Sequence, residues 1–115
     1  MSTAPSEAIC EVAVPNREGL HARPVMRFVD LASRFRAEVT VSNISGSKER
    51  VDGKSAMQMM LLEAVQGAVL RIEARGEDAA EAVKALAALV SKSFGMYAPN
   101  EGQAASNPPG GPSDP

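Results

Sequence analysis

"AICEVAVPNREGLHARPVMRFVDLASRF", residues 8–35, changes its hydrophobic period midway. Over 8–14 the pattern alternates. Ala8, Cys10, Val12 and Val14 fall on one side of a strand, and Ile9, Glu11 and Ala13 on the other. Pro15, Asn16 and Gly19 mark a loop over 15–19. From Val25 the spacing becomes helical, with Val25, Phe28, Val29, Ala32 and Phe35 on one face. Pro24 suits a first helical turn, where its missing N–H is harmless. A residue before proline avoids helical angles, so this helix starts close to His21, Ala22 and Arg23.

The rest of the chain extends the alternation. "AEVTVS" (37–42) reads as a strand with Ala37, Val39 and Val41 inward and Glu38, Thr40 and Ser42 outward. "NISGS" (43–47) turns the chain into a polar, weak strand at 48–52, making a hairpin. A short helix follows over 54–64, with Ser55 as its N-cap. "AVLRIEA" (68–74) is a further strand with Leu70 and Ile72 inward. Residues 76–94 form the strongest helix, capped by Asp78, with Val83, Leu86, Leu89 and Val90 as its buried stripe. The order β-α-β-β-α-β-α predicts an α+β fold, with helices covering one face of a mostly antiparallel sheet. Residues 1–7 read as a flexible N-terminus and 8–94 as the domain. Five of the eight prolines fall in 95–115, a stretch expected to be a disordered tail.

Composition narrows the function classes. A chain of 115 residues allows one domain, and 3% aromatic content without tryptophan requires an aliphatic core. A net charge of −2 leaves no electrostatic footprint for nucleic acid. No apolar run reaches the roughly 18 residues of a membrane span, and the N-terminus lacks the features of a secretory signal. Cys10 has no second cysteine to pair with and reads as a buried thiol rather than a reactive one. A cytoplasmic protein without a cofactor is expected.

His21 is the only histidine. A lone histidine is ordinarily a surface or structural residue, but this one stands at a helix N-terminus, where backbone N–H groups lack intrahelical partners. Those donors and the helix dipole favour an anion and disfavour an imidazolium, so a neutral, nucleophilic ring suits the place. A phosphoryl group on that ring would be held by the free amides and by Arg23, with Arg17 and Arg27 adding to the positive field. One histidine without nearby cysteines or paired carboxylates is too few ligands for a metal. No carboxylate is obviously placed to orient a triad.

"GLHARP" after a strand and before an amphipathic helix, then "VDGKSAM", "MMLLEAVQGAVLRIEARGEDAAEAV" and "AL", resembles the HPr family of histidine phosphocarriers of the bacterial phosphoenolpyruvate-dependent phosphotransferase system. The resemblance spans roughly residues 8–94. It implies an open-faced β-sandwich of four antiparallel strands with three helices on one face. It implies that His21 is phosphorylated on Nδ1 by enzyme I and passes the group to EIIA domains, with Arg23 stabilising the phosphoryl group. It implies a carrier rather than an enzyme, working as a monomer.

"KSAM" resembles the segment modified in many family members by HPr kinase/phosphorylase, which makes Ser55 a candidate regulatory phosphorylation site. An alternative follows: a signalling module governed by Ser55 without sugar transport. Met57, Met59, Met60, Leu61 and Leu62 exceed what one buried face can hold, so part of this helix should be an exposed partner surface. Met57 and Met60 match docking positions of the family, and Arg17 and Arg27 join them as docking candidates. Three departures stand out: Val25 where a smaller residue is usual, Ala56 in place of the common isoleucine, and a longer 43–53 segment. Gly53 reads as a source of local freedom.

Overall fold

The computed structural model describes residues 6–95. Four strands, β1 (Glu7–Ala13), β2 (Glu38–Asn43), β3 (Arg50–Asp52) and β4 (Val69–Arg75), form one antiparallel sheet in the order β1-β4-β2-β3. Three helices, α1 (Ala22–Ala32), α2 (Ala56–Met60) and α3 (Ala79–Ser91), precede β2, β4 and a final 3₁₀ turn at Ser93–Gly95. Glu7 already pairs with Arg75, and Gly95 closes that last turn, so the structured domain reaches one residue beyond the expected limits at each end. The rest of the expected flexible start and disordered tail lies outside the described residues.

Strand register gives the sheet its two faces. Cys10, Ile72, Val41 and Val51 stand side by side across all four strands. Val41, Val51 and Ile72 are buried and Cys10 is half-buried, so this row lies against the core. The row beside it runs Glu11, Arg71, Ser42 and Arg50, and it lines the open face. There Arg71 pairs with Glu11 at 2.9 Å, Arg75 with Glu7 at 3.4 Å and Arg50 with Glu73 at 3.6 Å. A one-residue slip would exchange the two rows, so burial of the aliphatic set holds the register. Ser42 faces outward as expected yet is buried. Its cross-strand neighbours Arg71 and Arg50 flank it, and long arginine stems cover such a small side chain.

On the core face, Phe28 and Val25 of α1 and Leu86 and Val90 of α3 are fully buried with Val39, Val41, Leu70 and Ile72. Each such aliphatic or aromatic side chain contributes about 1.5–3 kcal/mol through burial. Leu89 packs at the margin, and Ala79 and Ala82 join Val83 in the buried stripe of α3.

Two helices are shorter than their hydrophobic pattern predicts, for identifiable reasons. α1 ends at Ala32, and Phe35 packs beyond it in a turn. The Arg36 and Ala37 amides are drawn to the Asp78 carboxylate at 2.9 and 2.8 Å. Asp78 therefore does not cap α3 with its side chain, as the sequence suggested, but ties the entrance of β2 to the start of α3. α2 occupies five residues because Glu63 adopts φ +49, reversing the chain so that Leu62 and Ala64 enter the core. Gly53 is not a hinge. Its N–H donates to the Val39 carbonyl at 2.8 Å, and a Cβ there would meet Val39 Cγ1 at 2.6 Å.

The Asp78 contact makes stability pH-dependent. Hydrogen bonds from the Arg36 amide, then the Ala37 amide, hold this carboxyl below its ordinary value. A depressed folded-state value stabilises the protein at pH above the unfolded aspartate's value of about 3.9, and that contribution is lost as pH falls through the folded value. Thermal unfolding between pH 6 and pH 2.5 should show a smaller acid-induced drop in Asp78→Asn than in the parent. Equal drops would show that this carboxylate does not matter.

Candidate phosphoryl-acceptor site

The site is a turn seated on another turn. Asn16 is buried, its Nδ2 donates to the Gly19 carbonyl at 2.7 Å, and the Gly19 N–H returns a bond to the Asn16 carbonyl at 3.0 Å. Gly19 has φ +71, and a Cβ on it would lie 2.6 Å from the Ala64 carbonyl oxygen and 3.0 Å from Val65 Cα. Only glycine accepts both that backbone conformation and that approach. The Leu20 N–H donates to the same Ala64 carbonyl at 2.9 Å, and buried Leu20 anchors the turn in the core. The 62–65 segment beneath is held in turn by Asn43, whose Nδ2 donates to the Leu62 carbonyl at 3.1 Å.

His21 then occupies the N-cap position of α1, with extended backbone angles and no hydrogen bond from its ring to the helix. Its carbonyl accepts the first helical bond, from the Val25 N–H at 2.9 Å. The Ala22 and Arg23 amides precede that bond and have no helical acceptor, and the first turn of α1 carries no acidic side chain. The ring is half-buried, and its two nitrogens differ. Nε2 is enclosed without a hydrogen-bond partner, whereas Nδ1 is not enclosed in this way. Val25 is fully buried, so the extra bulk noted in the sequence goes into the core and not beside the ring.

Arg17, Arg23 and Arg27 are all exposed, and none makes a hydrogen bond or ion pair with a described residue. Gly95 comes near Arg27, since a Cβ on Gly95 would stand 3.9 Å from the Arg27 guanidinium. On α2 the apolar surplus divides as expected. Met59 and Leu62 are buried, while Met57 is 80% exposed and Leu61 68%. Met60, Met26 and Val65 are exposed as well. Val65 belongs to the segment on which Gly19 sits, so apolar surface begins directly under the histidine turn. Ser55 is half-buried, and its Oγ accepts the Gln58 N–H at 3.2 Å, which is the expected N-cap.

Residues 9–92 match the family model described as the PTS HPr component phosphorylation site. This chain belongs to the PTS HPr family. The HPr phosphocarrier of Neisseria meningitidis is 42% identical over 84 residues, covering 73% of this chain and 91% of that protein. The phosphocarrier NPr of Proteus mirabilis is 41% identical over 83 residues, covering 72% and 90%. A crystal structure of HPr from Thermoanaerobacter tengcongensis superposes with a TM-score of 0.71 at 37% identity, covering 77% of this chain and 97% of that one. The fold of this HPr-family chain is thus the open-faced sandwich that the family resemblance implied. No helix among the described residues is long and apolar enough to cross a membrane.

Two residues that support the site carried little signal in the sequence. Asn16 and Asn43 look like ordinary turn asparagines, and only burial shows that both have structural hydrogen bonds to make in this HPr-family fold.

Proposed function

We propose that His21 takes a phosphoryl group on Nδ1 from phosphorylated enzyme I and hands it to a histidine of an EIIA domain. The observation that carries this reading is the asymmetry of the ring: Nε2 is enclosed and Nδ1 is not. The lone pair on Nδ1 attacks phosphorus, the P–N bond of the donor phosphohistidine breaks, and its electron pair returns to the donor ring. Nε2 keeps its proton throughout. The dianionic group then lies beside the spare Ala22 and Arg23 amides, with the positive end of α1 behind them. The Arg23 guanidinium, exposed and without an ion pair to a described residue, can close over it, which favours the phosphorylated state. Partners align the reacting atoms, so the carrier itself contributes a nucleophile, a charge-neutralising cradle and an accessible surface.

Docking falls to the exposed apolar side chains Met57 and Met60, together with Arg17 and Arg27. Such a mixed, methionine-rich surface repacks readily, which suits one face that must serve both a donor and an acceptor. The protein would do this in the cytoplasm and as a monomer. Residues 8–94 would form the working domain.

Ser55 is proposed as a second, regulatory phosphorylation site for an ATP-dependent HPr kinase/phosphorylase. It stands two residues from Met57, so a phosphate there adds negative charge beside the proposed docking surface. Ser55→Asp should lower kcat/KM for phosphoryl uptake from enzyme I by about tenfold or more, an effect of roughly 1.4 kcal/mol on docking. Incubation with kinase and ATP should give an acid-stable phosphate that Ser55→Ala lacks. Unchanged uptake by the aspartate variant would remove Ser55 from regulation.

A further inference from the structure

Among the described residues, two buried side-chain polar atoms have no hydrogen-bond partner: His21 Nε2 and Asn16 Oδ1. Both belong to the same short turn. Natural folds leave few buried polar atoms unpaired, so two orphans in one turn call for a joint explanation. The orientation of Asn16 is set by its surroundings. Only a donor can face the Gly19 carbonyl, which assigns Nδ2 to that side at 2.7 Å and leaves Oδ1, an acceptor, on the other. The orphan on the ring is complementary in the tautomer that carries its proton on Nε2, because Nε2–H is a donor. No direct bond joins the two atoms, and a single buried water is the usual bridge between such groups.

We propose that Asn16 is a positioning residue for His21, accepting the Nε2 proton through one buried water and so holding the Nδ1 lone pair outward. A neutral imidazole has one donor and one acceptor nitrogen, and the hydrogen bond made by one decides the role of the other. A ring with its proton on Nδ1 would turn a donor outward and leave an unsatisfied acceptor inside. That form has no nucleophilic nitrogen at the open position. Asn16 performs the task because it is itself immobile: buried, and doubly bonded to Gly19. The inference rests on the reading of His21 as the nucleophile, but the tautomer can be read without any phosphoryl donor.

The experiment uses the full-length, uniformly ¹⁵N-labelled protein above the pH at which the ring is protonated. Two-bond ¹H–¹⁵N correlations report which ring nitrogen carries the proton. The parent should show Nε2–H alone, with an Hε2 resonance protected from solvent exchange. Asn16→Ala should bring in the Nδ1–H form, lose the protected resonance and lower kcat/KM for phosphoryl uptake by about tenfold, the usual scale for a residue that orients a reactive histidine. Asn16→Asp keeps the acceptor and should keep the Nε2–H form, though it loses the bond to the Gly19 carbonyl. A parent ring that is protonated on Nδ1, or mixed, would overturn the proposal even if no variant folds. So would an alanine variant that keeps both the protected resonance and the parental rate. Pure Nε2–H in a protein that no enzyme I labels would instead count against the carrier reading and leave the pairing standing.

Discussion

His21→Ala is expected to abolish phosphoenolpyruvate-dependent labelling while leaving the fold intact. In the presence of enzyme I, the parent chain should gain the mass of one phosphate, labile to acid as a phosphoramidate is, and the variant should gain none. The effect is total because the P–N bond needs a ring nitrogen, and the chain holds one histidine. Stability should change little. The ring makes no direct hydrogen bond to a described residue, so its removal breaks no more than the water bridge proposed to Asn16. The backbone carbonyl at 21 still accepts the Val25 N–H. An alanine at the N-cap gives up little here, because the native ring does not cap. Acid-labile label persisting in this variant would place the acceptor elsewhere, and absence of label in the parent with a competent enzyme I would end the carrier reading.

Gly19→Ala should strike both stability and transfer. The new Cβ meets the Ala64 carbonyl oxygen at 2.6 Å, and that oxygen cannot move aside cheaply, because it also accepts the Leu20 N–H at 2.9 Å. The backbone is at φ +71 in addition, a region costly for a side-chain-bearing residue. Left-handed strain and local overpacking together amount to roughly 2–4 kcal/mol, a large part of the stability of a domain this size. Relief of the overlap pushes residues 19–21 off the 64–65 segment, which tilts the ring away from the Ala22 and Arg23 amides. Thermal unfolding should show the loss of stability. Phosphoryl uptake measured well below the new Tm should remain lowered by tenfold or more. A variant with parental Tm and rate would show that the turn does not need this close seat. Gly67 supplies the contrast: it too has positive φ, but nothing lies within 4 Å of its absent Cβ. Gly67→Ala should carry the strain alone, about 1–2 kcal/mol, with transfer unchanged.

The aliphatic rows and the change of period at residues 15–25 were enough to read most of the fold. Alternation told core from open face in β1, β2 and β4, and the helical spacing of Val25, Phe28 and Ala32 placed α1 against the sheet. The places where pattern misled are places where a long-range polar contact overrode a local preference. Asp78 belongs at the start of α3 by type, yet its carboxylate serves two amides more than forty residues away in sequence. The apolar run after Ser55 looks like a longer helix, but the core below needs Leu62 and Ala64, and Glu63 takes a left-handed turn to deliver them. Gly53 reads as a flexible point and is a point of close packing against Val39.

By itself the sequence determined the order of elements, the faces they bury and the choice of His21 as the candidate acceptor, because these follow from period, from proline and glycine, and from there being one imidazole to choose. It also separated the methionines into more than one core stripe can take, which implied exposed ones. Which of them are exposed, which ring nitrogen is enclosed, and why Gly19 and Asn16 stand where they do were decided only in three dimensions. The seat of Gly19 depends on a segment far along the chain, the Ala64 carbonyl beneath it, and the orphaned amide oxygen of Asn16 is visible only through its burial in the fold. Local preference cannot register a contact whose second partner lies more than forty residues downstream.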